Sequence, residues 1–381
     1  MLAPSLAGCS SGSDTAIPPI ATTPVDLKLP DPGSTPLDPA KASALQAVLD
    51  KVVSQYAATP DSESASRGVT AAVVSDQWIW SGAAGQDAAG TTLTPRTSMG
   101  VASITKTFVA AEVLLLAKAG KIDLDVALST YVKHKLTANN ATVRQHLAMR
   151  SGVPNYLSDD YARMDKAIAA APGKHWTAEQ VLSYDTAEPT QADSSYNYSN
   201  PSYVLLGMLI EKLTGEPLAT VLRRDLAKPA GLERAAFQDG EKPQSPLAED
   251  RNPVCGKAVD GFTPCRAIAS LSASNAGLAA DAPTVARWGY QLYGQRVLPA
   301  ELVKQMTGGE GEYGLGTMLF SQAFGLGTAY GHRGELPDYS SIMVAVPEKN
   351  IAVAVLLADG NKNSDPVVSE LLAAVQPLLG G

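Results

Sequence analysis

The spacing of apolar residues predicts a helix where the folded part begins and paired strands after it. Asp38 and Pro39 supply an N-cap and a first-turn proline. The apolar residues that then recur at the spacing of an amphipathic helix are Leu45, Val48, Leu49, Val52, Val53 and Tyr56. Residues 69–74 and 78–81 flank the polar triplet Ser75-Asp76-Gln77, a pattern that predicts strand, turn and strand.

The later pattern changes from helical to strand-like. Residues 105–118 are mostly apolar up to Gly120 and predict a buried helix. From 124 to 270 the signals are mostly helical or loop-like, with helices over 204–213 and 218–226. The later elements are strands at 314–320, 329–332, 340–346 and 351–357, a turn at 347–350 and a helix at 366–376.

This order predicts one α/β unit with a large, mostly helical insertion rather than two tandem domains, because the strands lie at both ends of the folded region. The predicted folded domain is 39–381. Its α/β part is 39–122 plus 271–381, and its helical part is 123–270.

Composition and charge argue against several classes of function. The 381 residues include 30 Lys+Arg and 38 Asp+Glu, a net charge of −8, with no basic run longer than Arg223-Arg224. The sequence therefore predicts no nucleic-acid partner, since affinity for a phosphate backbone depends on clustered cations. No apolar stretch approaches the roughly 18 residues that span a bilayer. The four histidines lack metal-ligand spacing, so neither a metal nor another cofactor is expected.

The N-terminal region predicts a membrane anchor. Residues 1–9 end in Leu6-Ala7-Gly8-Cys9, which resembles a bacterial lipobox and implies lipid on Cys9. No charged n-region precedes it, so either the true start lies upstream or the match is accidental. Residues 10–38 are rich in Ser, Thr, Asp and Pro and predict a tether. The expected location is outside the cell, anchored on the outer side of the bacterial cytoplasmic membrane.

Two further cysteines, Cys255 and Cys265, lie ten residues apart in a loop that contains proline and glycine. An exported compartment would let them form a disulfide. Two unpaired thiols are the alternative.

The candidate chemistry centres on Ser103 and Lys106 at the start of the buried helix. Residues three apart on a helix share one face, so the amine can contact the hydroxyl. A serine hydroxyl needs an adjacent base, and a desolvated lysine can lose its proton. The alternative is an N-cap serine beside an unrelated, solvent-facing lysine.

Possible partners for this pair follow later in the chain. Tyr198 and Asn200 come just before an apolar helix, and together they offer a phenol and a carboxamide from one turn. His332, Arg333 and Gly334 follow at the end of a late strand.

This ordered trio of motifs resembles the penicillin-recognising serine hydrolases, which include class C β-lactamases, D-alanyl-D-alanine peptidases and related esterases. The similarity extends over roughly residues 70–359. The segments that carry it are residues 94–97, 103–108, 120–124, 150–154, 198–207 and 331–334, with Pro337. The resemblance implies a β-lactamase/D,D-peptidase-like α/β fold, an antiparallel sheet flanked by helices.

The resemblance also implies roles. Ser103 would be the acylated nucleophile, with Lys106 and Tyr198 as the proton-transfer pair; which of the two is the base stays open. Asn200 would position Lys106 and the substrate amide. His332 stands where many relatives have lysine and would keep a proton donor near Tyr198.

The oxyanion hole would be formed by backbone N–H groups of Ser103 and Glu335, beside Gly334. Arg333 departs from the Ser or Thr of relatives. It would either bind a substrate carboxylate or face away and pair with Glu335 or Asp338.

The predicted function is a serine hydrolase for small-molecule or peptide substrates, D-alanyl-D-alanine carboxypeptidase-like or β-lactamase-like. An esterase of the same family is the second hypothesis. A non-catalytic cell-surface binding protein on this scaffold is the third. Reaction with a serine-directed reagent would distinguish this last hypothesis from the two enzymes.

Overall fold

The computed structural model describes residues 28–57, 68–192, 195–249, 252, 254–256, 261–309, 311–321 and 324–379. The predicted lipobox and Cys9 lie outside the described residues. The helices of the described part are α1 (Pro39–Ala57), α2 (Thr105–Lys118), α3 (Val143–Leu147), α4 (Ser158–Ala170), α5 (Ala178–Leu182), α6 (Asn200–Thr214), α7 (Leu218–Leu222), α8 (Arg266–Leu271), α9 (Ala282–Tyr293), α10 (Ala300–Thr307) and α11 (Asp365–Val375). A π-helical turn, Arg223–Ala227, follows α7 directly.

Two sheets organise these helices. The strands are β1 (Thr35–Pro36), β2 (Val69–Ser75), β3 (Trp78–Ala84), β4 (Met99–Gly100), β5 (Ala236–Phe237), β6 (Leu278–Ala280), β7 (Met318–Ser321), β8 (Thr328–Glu335), β9 (Ser340–Val346) and β10 (Ile351–Leu357). The main sheet has the order β1-β3-β2-β10-β9-β8-β7, and only its β1–β3 pair is parallel. The smaller sheet has the order β4-β6-β5. The predicted α/β class, with an antiparallel sheet flanked by helices, is confirmed.

The central strand β10 is apolar throughout because helices cover both faces of the sheet. Along β10, Ile351, Val353 and Val355 belong to the core shared with α1 and α11, whereas Ala352 and Ala354 belong to the core on the α9 side. Small residues suit that second face, since α9 approaches closely. The strand alternates between two buried faces, so its sequence is a continuous apolar run rather than a polar–apolar alternation.

The small sheet corrects one part of the predicted organisation. Ala236 and Phe237 lie inside the segment predicted to be helical or loop-like, yet they form β5 and pair with β6. A two-residue strand is too short to produce a periodic pattern, which explains why the sequence did not reveal it. Through β6 this sheet also holds β4, the strand that leads into Ser103.

The predicted tether is wrong at its C-terminal end. Residues 28–38 are packed on the domain, with Leu29 and Leu37 buried. The Leu29 N–H donates to the carbonyl of Gly294, and β1 pairs with β3. The low average hydrophobicity of residues 10–38 concealed these two leucines, which supply the buried contacts.

The structure joins Cys255 and Cys265 in a disulfide. Neighbouring residues connect this loop to the turn between β8 and β9: Asn252 donates to Asp338, and the Thr263 and Tyr339 hydroxyls lie 2.8 Å apart. The disulfide loop therefore supports the strand that carries His332. Over the described residues, none of the helices is both long and apolar enough to cross a bilayer.

Candidate active site

Ser103 lies in a tight turn between a strand and a buried helix. β4 ends at Gly100, the 3₁₀ turn Ala102–Ile104 follows, and α2 begins at Thr105. Ala102 has φ of +48°, a left-handed backbone that alanine seldom adopts. Val101 is anchored on both sides, since its N–H donates to the Leu278 carbonyl and its own carbonyl accepts from the Ser341 hydroxyl. These contacts hold the strained turn in place.

Lys106 is the fully buried partner of Ser103. Its Nζ lies 2.8 Å from Ser103 Oγ and 2.8 Å from the carbonyl oxygen of Asn275. Burial holds the pKa of Lys106 well below its usual value, because the charged form loses its hydration. A neutral amine can donate one N–H to Asn275 and direct its lone pair at the Ser103 hydroxyl. The arrangement therefore provides a base in contact with the nucleophile.

Tyr198 approaches Ser103 from the loop before α6. Its hydroxyl lies 2.9 Å from Ser103 Oγ, and the Lys106 Nζ lies 4.9 Å from the centre of its ring. The loop is fixed because the next residue, Ser199, caps α6 by accepting from the Ser202 N–H. Burial raises the pKa of Tyr198, and the Ser103 contact opposes that shift. The phenol is thus a proton donor at neutral pH.

Asn200 departs from its predicted contacts. It is the first residue of α6, its backbone N–H donates to Asn155 Oδ1 at 3.1 Å, and its Nδ2 lies 3.5 Å from the Tyr161 hydroxyl. The described hydrogen-bond partners of Lys106 Nζ are Ser103 Oγ and the Asn275 carbonyl oxygen, so the predicted contact between Asn200 and Lys106 is absent among the described residues. The carbonyl of Asn275 takes that place. The role of Asn200 toward a substrate amide stays a prediction.

The contacts of His332 differ from those expected of a proton donor near Tyr198. Its Nδ1 lies 2.5 Å from the Arg333 carbonyl oxygen, which can only accept, so Nδ1 carries the proton. Its Nε2 lies 3.1 Å from the Tyr313 hydroxyl and accepts from it. Burial lowers the pKa of His332 to about 3, and Lys106 acts in the same direction. His332 is therefore neutral, and both of its nitrogens are engaged away from Tyr198.

Arg333 points away from Ser103, which favours the outward orientation, one of the two that the sequence leaves open, over the substrate clamp. Its Nε donates to Asp365 Oδ1 at 2.8 Å and its Nη2 to Asp365 Oδ2 at 2.5 Å. The guanidinium carbon also lies 4.8 Å from the centre of the Phe320 ring. Side chains alternate along a strand, so His332 and Arg333 occupy opposite faces of β8. For an outward-facing Arg333 the sequence predicted Glu335 or Asp338 as the partner. The observed partner is Asp365.

The end of β8 lies against the nucleophile turn. A Cβ on Gly334 would lie 2.3 Å from the Val101 carbonyl oxygen and 3.0 Å from Ala102 Cβ, so only glycine permits this approach. Glu335 is the last residue of β8, and its side chain is exposed. The predicted oxyanion hole of Ser103 and Glu335 N–H groups stays a prediction that this approach favours.

Sequence reasoning missed two participants in the site. Asn275 acts through its backbone carbonyl, which leaves no side-chain signal. Tyr313 donates to His332 and lies in an aromatic cluster with Tyr196 and Tyr198. Within the described ranges, no group of three or more His, Cys, Asp or Glu residues could hold a metal ion.

Comparisons with known proteins identify the family and the fold of the chain. The family model described as Beta-lactamase matches residues 49–376. The structure of D-amino acid amidase from Ochrobactrum anthropi SV3 complexed with L-phenylalanine amide superposes with a TM-score of 0.73, covering 89% of this chain and 99% of that chain at 22% identity. At that identity the likeness concerns the fold alone.

Two curated relatives match shorter stretches. Protein flp of Staphylococcus aureus (strain NCTC 8325 / PS 47) is 26% identical over 175 residues, which are 45% of this chain and 33% of that protein. N-acetylmuramyl-L-alanine amidase of Bacillus subtilis (strain 168) is 31% identical over 185 residues, 44% of this chain and 39% of that protein. These alignments span well under half of either relative. Since the family model covers most of the sequence, the chain belongs to the Beta-lactamase family of serine hydrolases.

Proposed function

We propose that this protein hydrolyses amides through an acyl-enzyme on Ser103. The observation that carries the proposal is the contact of Ser103 Oγ with both the Lys106 amine, at 2.8 Å, and the Tyr198 hydroxyl, at 2.9 Å. A nucleophile within reach of a desolvated amine and a phenol has the groups that acyl transfer requires.

In acylation, Lys106 accepts the Ser103 proton while Oγ bonds to the substrate carbonyl carbon. The resulting oxyanion faces the predicted N–H groups of Ser103 and Glu335. The C–N bond then breaks, and the leaving amine takes a proton passed from Lys106 through Tyr198. In deacylation, water bonds to the carbonyl carbon and loses a proton to Lys106. The ester bond breaks, and Ser103 regains its hydrogen.

Within this class we place amides and peptides of D-amino acids ahead of carboxypeptidase-like and β-lactamase-like substrates. The sequence favours carboxypeptidase-like or β-lactamase-like substrates, with Arg333 as one possible contact for a terminal carboxylate. That guanidinium is bound to Asp365. One curated relative is named N-acetylmuramyl-L-alanine amidase, and one structural neighbour is named D-amino acid amidase; these names motivate the proposal of amide cleavage. The finer substrate remains a proposal.

A substrate panel tests this order. We expect the highest kcat/KM on D-phenylalanine amide, with lower values on its L-enantiomer, a D-alanyl-D-alanine peptide, a cephalosporin and a p-nitrophenyl ester. A preference for the peptide or the cephalosporin would overturn the substrate order. Turnover of the ester alone would favour the esterase, and absence of any turnover or acylation would favour the binding protein.

The variant Arg333→Ala tests whether the Arg333 side chain contacts a substrate carboxylate. We expect the ratio of kcat/KM for the D-alanyl-D-alanine peptide to that for D-phenylalanine amide to change by no more than about twofold. Stability should fall by about 1 kcal/mol, because a partly exposed ion pair with Asp365 is lost. Steady-state kinetics and thermal unfolding measure the two effects. A loss confined to the carboxylate-bearing peptide would restore Arg333 as a substrate contact.

We also propose that the protein is exported and lipid-anchored through Cys9, on the outer side of the bacterial cytoplasmic membrane. The lipobox-like Leu6-Ala7-Gly8-Cys9 and the disulfide of Cys255 and Cys265, a bond typical of oxidising compartments, support this location. Fractionation of cells expressing Cys9→Ser from the full reading frame should move the protein from membranes to the soluble fraction. Unchanged fractionation would remove the proposal.

A further inference from the structure

The ammonium that forms on Lys106 during the proposed turnover has no carboxylate beside it. Lys106 is fully buried, and its Nζ contacts two neutral groups, Ser103 Oγ and the Asn275 carbonyl oxygen. Within the described ranges, no Asp or Glu side chain pairs with Nζ, and burial alone accounts for the lowered pKa of Lys106. A buried charge is costly unless another group stabilises it. The protonated amine therefore needs a partner of a different kind.

The titratable groups that surround Lys106 are themselves uncharged near neutral pH. Tyr198 and Tyr203 face the amine from the loop before α6 and from α6, and burial raises the pKa of both phenols. His332 of β8 is neutral, since burial lowers its pKa to about 3. Glu112, six residues further along α2, interacts with the charged residues of the π-helical turn after α7. None of these groups offers Lys106 a full negative charge.

The faces of two tyrosine rings lie against the Lys106 amine. Nζ lies over the Tyr198 ring, 4.9 Å from its centre, and over the Tyr203 ring, 5.7 Å from its centre. A ring face carries partial negative charge and attracts a cation within about 6 Å of the ring centre, most strongly where water is excluded. Tyr203 is fully buried. The two rings can therefore stabilise an ammonium ion where no carboxylate is present.

Contacts at its far end hold the Tyr203 ring in this position. The Tyr203 hydroxyl donates to the Leu147 carbonyl oxygen at 3.0 Å, and the same oxygen accepts from the Gly316 N–H at 3.0 Å. A Cβ on Gly316 would lie 2.7 Å from the Tyr203 hydroxyl oxygen and 2.5 Å from Ala110 Cβ, so this glycine makes room for the ring. Because the hydroxyl is bound to the backbone, the ring face is the part of Tyr203 that is directed at Lys106.

We propose that Tyr203 is a positioning residue of the reaction: its ring face, with that of Tyr198, stabilises the ammonium that forms on Lys106. The inference rests on the proposed acyl-enzyme function, in which the proton moves from Ser103 Oγ to Lys106 Nζ as Oγ bonds to the substrate carbonyl carbon. A neutral amine gains less from the rings than an ammonium does. The contact is therefore stronger in the transition state of acylation than in the resting enzyme, and it increases the rate.

Fluorination of the ring at position 203 separates its electrostatic effect from its shape. Tyr203→Phe removes the hydroxyl and keeps the ring. Phenylalanines with one, two or three ring fluorines at the same position then withdraw negative charge from the ring face at nearly constant size. The pKa of Lys106 in each protein is measured by NMR of lysine isotopically labelled at Cε, with the signal assigned by its absence from Lys106→Met. The pH dependence of the reaction of Ser103 with a fluorophosphonate is measured in parallel.

We expect the pKa of Lys106 to fall with each added fluorine, by about one pH unit over the series, because a weaker ring face stabilises the ammonium less. The acidic limb of the labelling rate should move to lower pH by the same amount. The rate on the alkaline plateau should fall about 3- to 10-fold, because the amine is then a weaker base. A merely structural defect would lower the rate without moving the limb.

The same fluorinated residues at position 290 are the matched control. Tyr290 is also fully buried, and its hydroxyl also donates to a backbone carbonyl, that of Pro30, at 3.2 Å. In the part of the chain that the structure describes, no basic side chain lies over its ring. We expect the series at position 290 to leave the pKa of Lys106 and the acidic limb unchanged.

A pKa of Lys106 that stays constant across the series at position 203, or that falls equally in the series at position 290, would overturn the role of Tyr203. Either result leaves the acyl-enzyme function intact, provided that the wild type cleaves amides and Ser103→Ala does not. The NMR titration needs no substrate. A pKa that falls with fluorination in a protein that cleaves no amide therefore supports the ring contact and counts against the proposed function alone.

Discussion

Replacing Ser103 with alanine should reduce kcat on the best amide by about 10⁶-fold, because the members of a nucleophile–base unit act together and little catalysis survives without the nucleophile. The Ser103 side chain is only partly buried, and its removal leaves no large cavity. KM should change far less than kcat. Steady-state kinetics on purified wild type and variant, with a long incubation for the variant, measures the loss.

Thermal unfolding and circular dichroism provide the control for Ser103→Ala, and both should match the wild type. A variant that is folded and retains even a hundredth of wild-type turnover would show that another group attacks the substrate.

The second large effect concerns Lys106, where Lys106→Met should lower kcat/KM by about 10²- to 10⁴-fold through loss of the general base. In the wild type, kcat/KM should rise with pH through the lowered pKa of Lys106, because only the neutral amine accepts the Ser103 proton. That acidic limb should disappear in Lys106→Met. Tyr198→Phe should also lose activity but should keep the limb, since the amine remains.

Stability gives an independent check on Lys106. The folded state lowers the pKa of Lys106, so the unfolded chain binds this proton more readily and folding is penalised below the ordinary lysine pKa. The penalty grows as pH falls toward the lowered pKa and vanishes above the ordinary value. Lys106→Met should therefore be more stable than the wild type at neutral pH, by a margin that narrows at alkaline pH.

The pH profile of kcat/KM could also contradict the assignment of the base. If the acidic limb of that profile persisted in Lys106→Met and disappeared in Tyr198→Phe, Tyr198 would be the base.

The fold could be predicted best where the local pattern and the tertiary environment agree. Residues 340–346, 351–357 and 105–118 are strands and a helix with the predicted bounds, because each is an apolar segment between turn residues and is buried in the core. The strand predicted at 314–320 begins only at Met318. Gly316 has φ of +68°, and the Gly314 N–H donates to the Thr317 carbonyl, so a turn occupies its first half.

In the site, too, local contacts could be predicted from the sequence and long-range contacts could not. The contact between Ser103 and Lys106 could be predicted because helix geometry alone brings residues three apart together. The orientation of Arg333 could not, since its partner Asp365 lies 32 residues further along the chain and on another element. The Asn275 carbonyl that fixes Lys106 is 169 residues away in sequence. Only the folded chain shows which of many carbonyl groups a buried amine meets.

The role of Ser103 as the nucleophile is tested most directly by identifying the residue that becomes acylated. The purified protein is incubated with a fluorophosphonate and examined by intact mass and by peptide mapping. We expect a single adduct on the peptide that contains Ser103, formed in the wild type and absent from Ser103→Ala. An adduct on any other residue, or labelling of Ser103→Ala at the wild-type rate, would contradict that role.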